Sequence, residues 1–504
     1  MTYIIILDIG TSNMLAGIYD GKGNSYFSAS EEYNTEFIYP SMVEQDPLTW
    51  KKAAYAVLAK TAQYLYENNI APAAIALTSQ RASLIPVDRY GKPLRKAIMW
   101  QDKRTVAECD MLTSQISMQA LYKKTGLRTN PYAVLPRIIW LKNNEKKIFD
   151  SSYKLISVQD YVLHCLSGEF KTDWTQAART MLMDINRFCW DEDLLGVAGL
   201  SEERLCTLVP PGSVAGHLTK EAAAQTGLTQ GLPVILCGGD QQNAAVGLNV
   251  IRPGVAEANT GTGSFIIAHA ESPAFDEHCR LLCSASAVAG KWITEASIFN
   301  SGAIFRWFKE QFYNKTDSFD LINDEAASSP VGSNGVLMLA HFEGSGAPYW
   351  EPKAKGMFFN LSLGTKRQDL CRAILEGISL EMLDNLLLFE NMIGKLSSIS
   401  IAGGLTKSNL FSQIQADVFN LPLVRYQNNE ATSLGAVMVA MTALGVYAHI
   451  EDASSHILET QPKLFYPNEA YAKIYQNLLQ RKRKLFFSLK ESGAYDVFMP
   501  SVDK

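Results

Sequence analysis

Apolar residues in this chain come in short unbroken runs that stop at glycine or a polar group, separated by longer stretches with helical spacing. Ile4-Ile5-Ile6-Leu7 stops at Asp8, and Ala73 to Leu77 runs into Thr78-Ser79-Gln80-Arg81. Val234-Ile235-Leu236-Cys237 ends in Gly238-Gly239-Asp240-Gln241-Gln242, and Ser398 to Ala402 ends in Gly403-Gly404. Runs of this length bounded by turn residues predict buried strands. A second apolar stretch, Leu15 to Tyr19, followed by Gly21-Lys22-Gly23-Asn24, predicts a hairpin. Helical periodicity predicts helices over 50–68, 133–142, 153–166, 218–229, 297–313, 367–391, 409–420, 430–444 and 465–490. Pro136 falls in the first turn of the second of these, where proline is tolerated, and Ser167-Gly168 stops the third.

Asp8-Ile-Gly-Thr-Ser-Asn13 and Asn259-Thr-Gly-Thr-Gly-Ser264 lie about half a chain apart and echo each other. This spacing predicts an α/β protein of two related domains. The expected division is an N-terminal domain of residues 1–247 and a C-terminal domain of residues 248–504.

Composition narrows the class. The chain has 504 residues, 47% hydrophobic and 19% charged, with a formal net charge of −5, which is ordinary for a globular protein and argues against nucleic acid as a main partner. Arg481-Lys-Arg-Lys484 is the densest basic cluster and reads as a solvated helix face. No apolar run approaches the roughly 18 residues of a membrane span, and the N-terminus lacks the basic region of a signal peptide. The eight cysteines scatter without metal spacing; Cys279 and Cys283 are four apart with no second pair. The expectation is a cytoplasmic protein with reduced thiols and no membrane partner.

The strand ends carry the candidate chemistry. In open α/β sheets ligands bind outside the carboxyl ends of strands. Asp240 sits at such an end and can accept a proton from a substrate hydroxyl, although Gly-Gly-Asp is also an ordinary tight turn. The 8–13 turn offers N–H groups and hydroxyls to a phosphate and a carboxylate to a metal. The strand-Gly-Gly-helix join at 402–409 lets a nucleotide lie against the backbone. Arg81 is either a substrate or phosphate contact or a surface arginine.

Together the four glycine-bearing strand ends, 8–13, 238–242, 259–264 and 402–409, resemble those of the FGGY carbohydrate kinases over about residues 1–450. Tyr132-Ala-Val-Leu-Pro-Arg-Ile-Ile-Trp140 is similar to the family's first signature, and Asp369-Leu-Cys-Arg-Ala-Ile-Leu-Glu376 to the end of its second. The resemblance implies two ribonuclease-H-like domains of the actin/hexokinase type with an ATP and sugar cleft between them. It implies Asp240 as general base and Asp8, with Asp240, at a Mg²⁺ ion. It places Gly10, Thr11, Ser12, Asn13, Thr260, Gly261 and Thr262 at the ATP phosphates, and Gly302, Gly403, Gly404, Leu405 and Asn409 on the nucleotide side. A homodimer is also compatible with it.

The expected acceptor contacts are Arg81, Ala82, Trp100, Tyr132, Asp240 and Gln241. The surrounding motifs look more like glycerol kinase than xylulokinase. Glycerol kinases, however, place a glutamate where Ala82 stands, and losing that carboxylate removes a polyol contact and leaves room for a longer acceptor. Many relatives also carry a basic residue where Leu15 stands. Arg137 for a lysine and Asn360 for a glycine read as structural replacements. The expected activity is ATP-dependent phosphorylation of a small sugar or polyol hydroxyl, of a pentulose such as xylulose or a glycerol-like polyol. The alternative is a catalytically silent regulator on the same fold.

Overall fold

The structure is a computed structural model that describes residues 1–38, 41–427, 430–458 and 460–497. Its frame is two large mixed sheets. The first has six strands in the order Ser213–His217, Pro233–Gly239, Pro72–Ser79, Tyr3–Ile9, Asn13–Asp20, Ser25–Glu32. Tyr3–Ile9 runs parallel to Pro72–Ser79 and antiparallel to Asn13–Asp20. The hairpin turn falls where Gly21 to Asn24 places it: Gly23 takes φ 79° and donates its N–H to Asp20 O at 3.0 Å. A left-handed backbone here suits glycine.

The second sheet has seven strands, ordered Leu282–Ala285, Trp292–Ile298, Ser264–Ala270, Val255–Thr260, Ser398–Ala402, Leu423–Arg425, Lys463–Phe465. Val255–Thr260 repeats the role of Tyr3–Ile9, with an antiparallel partner on one side and parallel Ser398–Ala402 on the other. The fold is thus two related units, as the repeated turn predicts, of the ribonuclease-H-like, actin/hexokinase type that the family resemblance implies.

Both faces of the first sheet are covered, which explains its unbroken apolar runs. Ile5, Leu7 and Ile9 pack with Trp50, Val57 and Leu58 of helix Pro47–Glu67 and with Tyr161 and Leu166 of helix Val158–Ser167. Ile4, Ile6, Ala76, Ile235 and Cys237 pack on the other face against Leu434, Val437 and Met438 of helix Ala431–Ala443. Residues 431–457 therefore cover the first sheet, although they follow the second sheet's main strands in sequence. Ala256, Ala258, Ile399 and Ile401 of the second sheet pack with Ile374, Leu375 and Ile378 of the helix Arg367–Ile393.

Several expected elements change. Over 297–313 the chain is strand to Ile298 and helix only from Gly302 to Phe312. The N–H groups of Ser301 and Ala303 both donate to Thr262 O, which ends the strand and sets the helix start; aromatic periodicity masked that break. Over 153–166 a strand, Lys154–Ile156, precedes helix Val158–Ser167, because Ser157 and Asp160 form a capping box. The 218–229 helix is shorter, Lys220–Thr226. The 465–490 helix is Glu469–Glu491, preceded by strand Lys463–Phe465 and followed by a short helix, Ala494–Val497. Its basic cluster is not simply a solvated face: Lys482 is fully buried, 2.7 Å from Glu381 and 2.6 Å from Asp384.

Candidate active site

The first phosphate-type turn is held from three directions. Gly10 N–H donates to Asn13 O at 3.0 Å, the Tyr33 hydroxyl is shared between Gly10 O at 2.7 Å and Asn13 O at 2.8 Å, and Gln80 Nε2 donates to Gly10 O at 3.1 Å. Closing the turn this way leaves Ser12 and Asn13 exposed, with Thr11 half-buried, so that hydroxyls and amides face outward. Asp8 lies one strand residue behind it, paired in register with Leu15 and Thr78.

The second turn joins strands Val255–Thr260 and Ser264–Ala270, with Gly261 and Thr262 exposed. Gly302 N–H donates to Gly261 O at 2.9 Å, which brings the helix start of 302–312 onto the turn. A Cβ on Gly302 would strike Gly261 O and lie 3.7 Å from Leu405 Cγ. Gly403, at φ 95°, packs so closely on Thr260 that a Cβ there would collide with its carbonyl. Thr260, Gly261, Thr262, Gly302, Gly403 and Leu405 are therefore one surface, with Gly404 open beside it. Asn409 opens helix Asn409–Phe419, and its Oδ1 accepts from Arg425 Nη2 and Lys463 Nζ, both at 2.9 Å.

Between the sheets lies a compact charge cluster. Asp240 is the first residue of helix Asp240–Gly247, and its Oδ1 accepts from Gln241 N–H at 2.7 Å. A helix N-terminus favours a carboxylate. Arg81, which leaves strand Pro72–Ser79, is buried; its Nε lies 3.6 Å from Asp240 and its Nη1 3.5 Å from Glu295. Glu295, from strand Trp292–Ile298, also pairs with Arg179 at 2.8 Å. Gly239 makes room for this: a Cβ there would meet Arg81 Cδ at 2.5 Å. Arg81 is thus no surface arginine.

Electrostatics in this cluster depart from solution values. Burial, together with the Asp240 charge, pushes Asp8 up to about 7. Burial raises Asp240 too, against the opposing pull of Arg81 and Arg179. Burial pushes Glu257 up to about 8, with the Glu295 charge adding to it. Burial also acts upward on Glu295, yet Arg179 and Arg81 outweigh it and hold that carboxylate below its ordinary range. Asp8 and Asp240, two carboxylates close enough for the charge of one to raise the other, are of the hard oxygen type that suits a divalent cation. Among the described residues no group of three or more His, Cys, Asp or Glu could hold a metal by itself.

Trp100 and Tyr132 line a surface groove of about 570 Å³ with Phe37, Ile38, Met42 and Lys103. Trp100 Nε1 donates to Thr11 Oγ1 at 3.0 Å, tying this groove to the phosphate turn. Ala82 takes φ 65° and borders a separate interior cavity of about 30 Å³. The fully buried Arg137 donates to the Ala82 carbonyl, to Trp100 O at 2.8 Å and to Pro131 O at 3.0 Å. Its role is to fix three loops. Asn360, at φ 67°, occupies a left-handed position where asparagine replaces glycine at small cost.

Three charged residues of this cluster, Arg179, Glu257 and Glu295, are not among the expected site residues. An acid in the middle of a buried strand, as in Trp292-Ile-Thr-Glu-Ala-Ser-Ile298, was the available signal. Asp369 and Glu376 of the second signature lie elsewhere, in buried networks with Ser329 and with Arg372 and Tyr475.

Residues 3–247 match the N-terminal domain of the FGGY family of carbohydrate kinases, and residues 256–444 match its C-terminal domain. The chain belongs to this family and is an ATP-dependent sugar or polyol phosphotransferase. Among its relatives are a gluconokinase of Bacillus licheniformis, 28% identical over 95% of this chain and 94% of the relative, and a glycerol kinase of Thermococcus gammatolerans, 31% identical over 97% of each. A crystal structure of ligand-bound xylulose kinase from Lactobacillus acidophilus superposes with a TM-score of 0.93 at 26% identity, covering 99% of this chain and 100% of that one.

Proposed function

We propose that Asp240 is the general base, taking the proton of an acceptor hydroxyl while the γ-phosphoryl group of ATP moves to that oxygen. The acceptor is a small linear sugar or polyol: a pentulose such as xylulose, or a glycerol-like polyol. The observation that carries this reading is the place of Asp240, 3.6 Å from Arg81 and within electrostatic reach of Asp8. Phosphoryl transfer asks for positioning and charge neutralisation more than covalent work. A Mg²⁺ ion at Asp8 and Asp240 would neutralise charge on the phosphates. In this reading Thr11, Ser12, Gly261 and Thr262 bind the phosphate oxygens, and Gly302, Gly403, Gly404, Leu405 and Asn409 the rest of the nucleotide. Arg81, Gln241, Trp100 and Tyr132 hold the acceptor. All eight cysteines are free, which fits a reducing compartment such as the cytoplasm.

Asp240→Asn tests the base. ADP binding, measured by calorimetry, stays near wild type while ADP release with acceptor falls by a factor of roughly 10² to 10⁴. Wild-type turnover in this variant overturns the assignment. The acceptor is settled by ADP release over glycerol, erythritol, pentitols, ketopentoses, ketohexoses and aldonates. A response to glycerol alone would refute the reading of Ala82. Ala82→Glu, which restores the carboxylate of glycerol kinases, raises activity on glycerol relative to longer acceptors.

A further inference from the structure

Arg81 and Glu295 come from different domains and face each other across the floor of the cleft. Glu295 sits mid-strand, paired with Ile267 on one side and Leu282 on the other, so its backbone is fixed. Its Oε2 lies 2.8 Å from Arg179 and 3.5 Å from Arg81 Nη1. The contact with Arg81 falls short of a hydrogen bond: Arg81 Nη1 and Glu295 Oε1 are both buried atoms without a hydrogen-bond partner. The charged groups facing Arg81 in this cluster are Asp240, Glu295, Arg179 and, beyond them, Asp8 and Glu257. Glu295 is the one whose Oε2 serves both arginines.

We propose that Glu295 is a positioning residue for acceptor recognition: reaching from the second sheet, it fixes the Arg81 guanidinium beside Asp240, so that the acceptor site is complete only while the two domains are in contact. The proposal rests on Arg81 being an acceptor contact. It assigns to a residue of the nucleotide-side domain a share in choosing the acceptor. It also offers a compensation for Ala82, since the arginine beside it draws its carboxylate partner from the opposite domain.

A double-mutant cycle between Glu295→Gln and Arg81→Ala tests this, with kcat/KM measured for whichever of glycerol, D-xylulose and D-gluconate gives the highest value. Glu295→Gln in the wild-type background lowers kcat/KM roughly ten-fold, mainly through acceptor KM, as expected for a lost charge-assisted contact. ADP affinity without acceptor changes less than about two-fold, and Glu295→Asp recovers part of the loss. In the Arg81→Ala background Glu295→Gln has less than about a two-fold effect, because residues that act through one another are non-additive. An equal loss in both backgrounds, or none in either, overturns the proposal. If Arg81→Ala itself leaves acceptor KM unchanged, the placement of Arg81 at the acceptor fails, and this inference with it. Should Glu295→Gln fail to fold, Glu295→Asp carries the same cycle, since it keeps the charge and withdraws the carboxylate by one methylene.

Discussion

Trp100 Nε1 donates a hydrogen bond to Thr11 Oγ1, and Thr11 Oγ1 in turn donates to Gln80 Oε1, which links the groove of Trp100 and Tyr132 to the 10–13 turn through one hydroxyl. A residue assigned to the acceptor thereby orients a residue assigned to ATP. Trp100→Phe keeps most of the ring and removes the donor. Losing one neutral hydrogen bond is worth about 1 kcal/mol. Steady-state kinetics with both substrates varied therefore show KM for acceptor and for ATP rising together, each by roughly three- to ten-fold. A change confined to the acceptor would mean that the bond does not position Thr11.

Helix Ala431–Ala443 lies on helix Asp240–Gly247 so closely that a Cβ on Gly435 would collide with Asn243 O. The colliding atom is backbone, so the helix carrying Asp240 must move. Gly435→Ala is expected to cost about 1–3 kcal/mol of stability through overpacking. If Asp240 is the base, as proposed, a shift of even a fraction of an ångström also matters to the chemistry, so kcat falls by roughly ten- to a hundred-fold while the protein remains folded. Thermal denaturation and kcat measured on the same preparation check both parts.

The strand ends were legible because each is a local pattern: an apolar run, then glycines, then a polar group. Asp240 and Gly403 fall where such runs predict, directly after strands Pro233–Gly239 and Ser398–Ala402, whereas Asp8 lies one residue inside strand Tyr3–Ile9 and Gly261 was legible through its likeness to the 8–13 turn. Arg137 and Asn360 were legible as structural for a similar reason, since each stands where a chemically close residue does the same backbone task. Glu295 and Arg179 were not, because their function exists only as a contact between residues 116 apart in sequence. The alternation of Thr294, Glu295 and Ala296 looks like a half-solvated strand; Ala296 and Ile298 pack in the second domain's own core, and it is the first domain's Arg81 and Arg179 that cover the Glu295 face. Lys482 failed for the same reason: four consecutive basic residues read as a solvated face until Glu381 and Asp384 are seen opposite one of them.

Lys482 anchors the last long helix by charge. It is fully buried against Glu381 and Asp384; Asp384 also accepts from the Tyr349 hydroxyl at 2.6 Å, and His341 lies 3.1 Å from Glu381. Against the upward pull of burial, Lys482 and His341 hold Glu381 down at about 2. Lys482→Met leaves Glu381 buried with His341 as its remaining partner, while Asp384 keeps Arg483 at 2.6 Å; an uncompensated buried charge costs about 3–5 kcal/mol. Denaturant unfolding at neutral pH shows this loss, and it shrinks near pH 5 as the released Glu381 carboxylate takes up a proton. A Lys482→Met protein as stable as wild type would show that the cluster is hydrated rather than dry.

Glu257 makes the opposite case, a buried acid without a cation. Neither of its oxygens has a hydrogen-bond partner, and burial with the Glu295 charge pushes it up to about 8 from the ordinary 4.5. The folded chain keeps this proton across the range in which the unfolded chain releases it. Its contribution to stability is therefore full below the unfolded value and is lost as pH rises through about 8. Glutamine has nearly the same shape and cannot ionise. Glu257→Gln is thus expected to match wild type in thermal denaturation at about pH 5 and to exceed it at about pH 8.5, by roughly 1–4 kcal/mol. A stability difference that is the same at both pH values, or larger at the acid one, would mean that Glu257 is ionised in the folded protein and has a partner supplied by solvent or by Arg81.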